Sequence, residues 1–356
     1  MLPSDDAWQY ALVEPRRTTA LGISFRSPQL APLGLDPRPT LLALLAYPFQ
    51  MIRLGAYWNR IEPASGSFDT HELDWQLDAA ERAGKQIIVC VGALKNFGYP
   101  EFFVPRHRLA GPLPEHSLIR PAGYAALLGA ATEVLARVVD RYKGHSSIIA
   151  WQVEHEAVDP LGLEHSWRLA VDFVAKEVET VRRCDPSRPI LMNGFLPASL
   201  PVRLVQWWQT RDQGDSLSAA QRLADIVGLD FYPRHAVVNL GSKTLYLDDG
   251  RRPWSQSRRK QVFAWARSHG RRLMISEGQA EPWEAVTTPP NPHGKYAFSC
   301  PPEQMIGTYS QCMTRAREAS VVLDAYLFWG AEYWILRSHS GDPTYLNAFA
   351  RILETA

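Results

Sequence analysis

Apolar positions along the chain fall into two alternating patterns. Short runs rich in aliphatic and β-branched residues recur at Gly22–Ser27, Met51–Trp58, Gln86–Gly92, Ile148–Glu156, Ile190–Phe195, Asp225–Tyr232, Leu273–Glu277 and Ala325–Trp329. Such runs, bounded by turn residues, predict buried strands. Stretches of helical period lie between them. His71–Gly84 places Leu73, Leu77 and Ala80 on one face and offers Gly84 as a stop; Tyr124–Arg141 and Ser166–Arg183 follow the same logic. Eight strands alternating with helices predict parallel pairing and an α/β fold, a single-domain (β/α)8 TIM barrel. An open doubly wound sheet is the alternative, disfavoured because the first strands lack a glycine-rich phosphate loop. Residues 1–20 read as an N-terminal extension and 21–356 as the barrel. Two long segments, Pro233–Gln256 and Gln279–Pro302, read as loops that shape the face at the strands' C-terminal ends.

Composition narrows the classes of partner. Thirty-eight basic and 37 acidic side chains leave a net charge of +1, so no overall field favours nucleic acid or an anionic membrane. The basic clusters Arg251-Arg252 and Arg258-Arg259-Lys260 read as solvated positions. No apolar run reaches the roughly 18 residues of a membrane span. The four cysteines form no CxxC pair and the ten histidines no HExxH pattern, so neither a disulfide framework nor a metal or other cofactor is predicted. The N-terminus lacks the basic head and apolar stretch of a secretory signal. The sequence as given therefore reads as cytoplasmic, with a processed secreted form left open.

Chemistry gathers at the ends of the strand runs. The fourth ends in Trp151-Gln-Val-Glu-His-Glu156, with Glu154 and Glu156 on one face if the strand stays regular. The seventh ends in Ile275-Ser-Glu277-Gly, three βα units further on. Carboxylates at the C-terminal ends of barrel strands work against stability and point to function. Two of them flanking a scissile bond suit glycoside cleavage, with retention at a separation of about 5–5.5 Å and inversion at a wider gap. Twelve tryptophans add flat rings of the kind that sugar faces stack on.

Five motifs in register resemble clan A glycoside hydrolases. They are Arg53-Leu-Gly-Ala-Tyr-Trp58-Asn-Arg-Ile-Glu62-Pro, the Trp-Gln-Val-Glu-His-Glu156 run, Gly228-Leu-Asp-Phe-Tyr232-Pro, Ile275-Ser-Glu277-Gly and Phe328-Trp329-Gly-Ala-Glu-Tyr-Trp334. The resemblance covers residues 20–355 and is similar to families 5, 39 and 42. It implies a retaining O-glycosyl hydrolase acting on β-linked oligosaccharides or polysaccharides, with Glu156 as acid/base and Glu277 as nucleophile. It further implies that Arg53 and Tyr232 hold the nucleophile and that Trp329 lies beneath the sugar. His155 departs from the Asn usual before the acid/base. A His-Glu pair resembles family 26 mannanases and adds β-mannosides to β-glucosides and β-galactosides as expected substrates. Asn193 and Trp283 join the expected sugar-binding residues. Lys95-Asn96 and the rings of Trp58, Trp151, Trp254 and Trp334 are further candidates, at least half of these rings being expected to serve packing.

Three other readings use the same chain. A transglycosylase would use the same carboxylates with a sugar acceptor in place of water. A non-catalytic carbohydrate-binding barrel is disfavoured because both carboxylates, Arg53 and Tyr232 are present. A barrel aldolase or isomerase needs a strand-end lysine or a metal cluster, and no strand run ends in lysine.

Overall fold

The computed structural model describes residues 7–159, 165–197, 200–240, 243–248, 253–282 and 299–355. Eight parallel strands close a barrel in the order β1-β8-β7-β6-β5-β4-β3-β2. They are β1 (Ala20–Ser24), β2 (Met51–Gly55), β3 (Gln86–Cys90), β4 (Ile148–Gln152), β5 (Ile190–Phe195), β6 (Ile226–Phe231), β7 (Arg272–Gln279) and β8 (Ala325–Trp329). All eight predicted runs overlap a barrel strand. The spatial order follows the sequence order, as in a barrel of successive βα units. Among the described residues no helix is long and apolar enough to cross a membrane.

Two expectations are corrected. The fourth apolar run reaches Glu156, but β4 ends at Gln152, and Glu154 and Glu156 both have positive φ, 58° and 42°. The alternation of faces therefore does not carry through to these carboxylates. The segment Pro233–Gln256 is not a plain loop: Arg234–Leu240 and Lys243–Asp248 form an antiparallel ribbon, and the helix Pro253–Ser268 begins inside it. Most of Gln279–Pro302 lies outside the described residues.

The chain divides into two compact units. The first comprises residues 1–51, 196–203 and 230–356. In it β1 pairs with β8 in unbroken register, Ala20 with Ala325 through Ile23 with Phe328. A side chain at Gly22 would collide with the Met51 carbonyl oxygen at 2.1 Å, so this strand needs glycine where the backbones meet. The β7–β8 ladder is interrupted: Ile275 faces Tyr326 but Gly278 faces Phe328. Three steps along β7 thus match two along β8, leaving an extra residue at Ser276-Glu277, a β-bulge of the kind that re-aims a side chain. Behind these strands Tyr309, Phe328, Trp334 and Phe349 pack ring against ring, with centroids 4.9–6.2 Å apart.

The second unit comprises residues 52–195 and 204–229. The helix His71–Arg82 buries Leu73, Leu77 and Ala80, the stripe expected from its period. Ala125–Tyr142 buries Leu127, Ala131, Val134, Leu135, Val138 and Val139 in the same manner. Val171–Cys184 carries Phe173, Val174, Val178 and Val181 inward, together with one carboxyl, Glu177. Asp185, at this helix's end, accepts from Trp151 Nε1 at 2.9 Å and Ser187 Oγ at 2.5 Å, and pairs with Arg188. The Asp-Pro-Ser-Arg-Pro turn is thereby tied to β4.

Candidate active site

In the second unit the site residues converge on the turn after β4. Arg53, on β2 and fully buried, donates from Nη1 to Gln152 Oε1 at 3.2 Å and lies 4.2 Å over the Phe97 ring. Gln152 passes the chain on: its Nε2 donates to Asn193 Oδ1 and to the Glu154 carbonyl, both at 3.0 Å. Asn193 Oδ1 also accepts the Glu156 N–H at 3.4 Å. Lys95 closes the turn from below, its Nζ donating to the carbonyls of Glu156 at 3.0 Å and Asp159 at 3.2 Å, while its own carbonyl accepts the His155 N–H at 3.0 Å. Glu154 accepts the backbone N–H groups of Leu94 and Lys95 at 3.0 and 2.6 Å. Positive φ at two residues that are not glycine costs of order 1 kcal/mol each, and these bonds hold the turn in that conformation.

In the first unit β7 presents Glu277 in the bulge. Tyr232 Oη donates to Glu277 Oε2 at 2.5 Å, and both side chains are buried. The neighbouring Ser276 Oγ donates to Asp230 Oδ1 at 2.7 Å, which fixes the bulge against the end of β6. Gln279 bonds the Arg234 backbone in both directions at 3.2 Å. Trp329, at the end of β8, is partly exposed, and the Arg26 guanidinium stands 4.4 Å from its ring centroid. Arg26 is in turn held by two carboxylates, Glu281 at 2.7 Å on both oxygens and Glu332 at 2.7 Å, all buried. The Arg26 N–H also donates to Glu332. Burial works against the Arg26 charge, but the two carboxylates overcome it and raise its pKa. Burial pushes the Glu281 carboxyl up, and the negative charges of Glu332 and Glu277 add to this against the pull of Arg26.

The predicted residues divide clearly. Arg53, His155, Glu156 and Asn193 gather around one turn, and Tyr232 and Glu277 are bonded to one another. Trp283 lies outside the described residues, as does the Trp254 side chain. Lys95 and Asn96 are fully buried, and Asn96 is spent on backbone groups of Ala56, Cys90, Gly92 and Phe97. Trp58, Trp151 and Trp334 are packing residues: each is buried and donates its indole N–H to Glu62, Asp185 or the Ala280 carbonyl. Sequence reasoning missed Arg26, Gln152, Glu281 and the role of Glu332. Arg26 and Gln152 had a readable signal, a polar side chain at or just after the end of an apolar strand run.

Residues 46–161 match the sequence profile of the family described as Glyco_hydro_42: Beta-galactosidase. Among curated proteins none matches the chain. Solved structures with the same fold include a GH10 endoxylanase retrieved from a sugarcane soil metagenome, 15% identical over 96% of this chain and 98% of that one, with a TM-score of 0.58. Xylanase 10B from Thermotoga maritima is 12% identical over 96% and 98%, at 0.57. A GH5_18 variant from Streptomyces cattleya, solved in complex with Manb1-4GlcNAc, is 15% identical over 87% and 70%, at 0.55. These solved structures share the closed barrel, and residues 46–161 are similar to a glycoside hydrolase family.

Proposed function

We propose that the chain is a retaining β-glycosidase in which Glu277 is the nucleophile and Glu156 the acid/base. The observation that carries this reading is the hydrogen bond from Tyr232 to Glu277 in the β7 bulge, because it fixes the orientation of a buried carboxylate. In the first step Glu277 forms a bond to the anomeric carbon while the C1–O bond breaks and the Glu156 proton passes to the leaving oxygen. In the second, Glu156 takes a proton from water, whose oxygen displaces Glu277 from C1. Arg53 supports the charged nucleophile, Asn193 and His155 receive sugar hydroxyls, and Trp329 provides the platform under the ring.

β-Galactosides come first among the substrates, on the family profile that residues 46–161 match. β-Mannosides come second, on the His155-Glu156 pair, with β-glucosides third. The test is hydrolysis of a panel of aryl β-galactosides, β-mannosides and β-glucosides beside Glu277→Gln and Glu156→Ala. Turnover abolished by Glu277→Gln, and restored by azide in Glu156→Ala with a β-glycosyl azide product, is the expected result. An α-azide product, or activity that survives Glu277→Gln, overturns it. Products analysed with an added sugar acceptor separate hydrolysis from transglycosylation.

A further inference from the structure

The helix Val171–Cys184 turns an apolar face inward, yet Glu177 stands in the middle of it with no exposed surface. Neither of its carboxyl oxygens receives a hydrogen bond from any donor. Its neighbour is the Glu154 carboxyl, within hydrogen-bonding reach and equally buried. Two carboxylates cannot share a dry site unless a proton lies between them. The surroundings decide which group carries it. Burial raises the Glu154 pKa too, but Glu177, two backbone N–H bonds and the Lys95 charge pull against it, so its oxygens serve as acceptors. Glu177 has none of these, and burial together with the negative Glu154 raises its pKa well above the usual carboxyl range.

Glu154 is also a structural corner. It has φ 58° and precedes His155 and Glu156, whose own φ is 42°. Its backbone packs so closely on Gly92 that a side chain there would meet Glu154 Cα at 2.5 Å. Its carboxylate clamps the Leu94-Lys95 turn, the same Lys95 whose Nζ bonds the Glu156 carbonyl.

We propose that Glu177 is a positioning residue: its protonated carboxyl donates to Glu154 and thereby holds the left-handed turn that presents Glu156. This rests on the reading of Glu156 as the acid/base. In chemical terms the proton is structural. It stays between two carboxyl oxygens and takes no part in the transfer to the leaving group.

Leaving-group dependence separates positioning from simple loss of fold. An activated aryl glycoside such as the 2,4-dinitrophenyl compound needs no acid in the first step, whereas a poor leaving group does. Glu177→Leu, which fills the space but cannot donate, is expected to lower kcat/KM about tenfold or more on the poor leaving group and about threefold or less on the activated one. Glu177→Gln, whose amide donates in place of the carboxyl, is expected to stay within about threefold of wild type on both. Equal losses on the two substrates in a folded Glu177→Leu protein, or a Gln variant that behaves like the Leu variant, would overturn the proposal. Difference infrared spectra of wild type against Glu177→Gln at pH 7 give a readout free of activity. A protonated-carboxyl stretch lost in the variant supports the shared proton, and its absence sinks the pair. If wild type hydrolyses no glycoside, the reading of Glu156 falls while the infrared band still decides the proton.

Discussion

Tyr232 Oη donates to Glu277 Oε2 at 2.5 Å, between the residue that follows β6 and the bulge of β7. The register slip that lets Gly278 face Phe328 is what turns Glu277 towards the tyrosine. Tyr232→Phe removes one donor from a buried carboxylate. We expect kcat to fall about 100-fold or more, since loss of one donor to a reacting anion costs about 100- to 1,000-fold. The acid limb of the pH–rate profile should also move upward, because the carboxylate loses a bond that favours its charged form. A full pH–rate profile of the variant checks both effects.

The Arg26 network supplies the second prediction. One guanidinium balances Glu281 and Glu332 beneath the Trp329 ring, with all three charges buried. Arg26→Met leaves two carboxylates without their guanidinium and takes the cation from the Trp329 ring. Breaking such a buried pair costs about 3–5 kcal/mol. The double change with Glu332→Gln should recover part of that stability, because one uncompensated charge is gone. On the proposed role of Trp329, sugar affinity should not return, since the cation is still missing from its ring. Thermal unfolding of the single and double variants beside KM values for an aryl glycoside tests this.

Gly330 links the same network to backbone geometry. Its φ is 123°, and a Cβ there would sit 2.4 Å from Glu281 Cβ. Gly330→Ala therefore meets both a forbidden backbone region and a collision. A loss of about 2 kcal/mol or more in denaturant unfolding is expected. By contrast Gly129→Ala, in the helix Ala125–Tyr142 with open space around its Cα, should be neutral or stabilising.

Glu62 sets a pH dependence of stability. Burial alone would raise its pKa, but bonds from Arg108, Trp58, His107 and the Gly66 N–H hold it down at about 2. The folded pKa lies below the ordinary carboxyl value of 4.5, so its stabilisation is complete above that pH and is lost as pH falls towards about 2. Because Arg108 and His107 are partly exposed, the contribution is set at about 2 kcal/mol. Urea unfolding of wild type and Glu62→Gln between pH 2 and 6 should converge at the acid end and separate above about pH 4.5.

Strand order and the barrel were legible because each depends on local pattern, and so was the position of the proposed site residues along the chain. Leu73, Leu77 and Ala80 announce their helix by spacing, and Glu277 announces itself as a carboxyl closing an apolar run. Glu154 was misplaced for an equally physical reason. Alternation predicts a face only while the ladder continues, and the backbone leaves β-space after Gln152, where turn bonds from Lys95 and Gln152 take over. Lys95 and Asn96 looked like sugar ligands because lysine and asparagine after a strand so often are exposed. Their burial depends on which carbonyls the folded chain leaves unpaired around them.

Hydrophobic period and strand-terminal polarity act over a few residues. The chain's own pattern is therefore enough to establish the eightfold alternation and the βα order, and to mark the two carboxylates that close the fourth and seventh runs. What surrounds those carboxyls is settled by folding alone. The proton between Glu154 and Glu177, the slip that aims Glu277 at Tyr232, and the arginine beneath Trp329 join residues 23 to 303 positions apart in the chain. Burial and long-range pairing set their charges, and no local pattern encodes either.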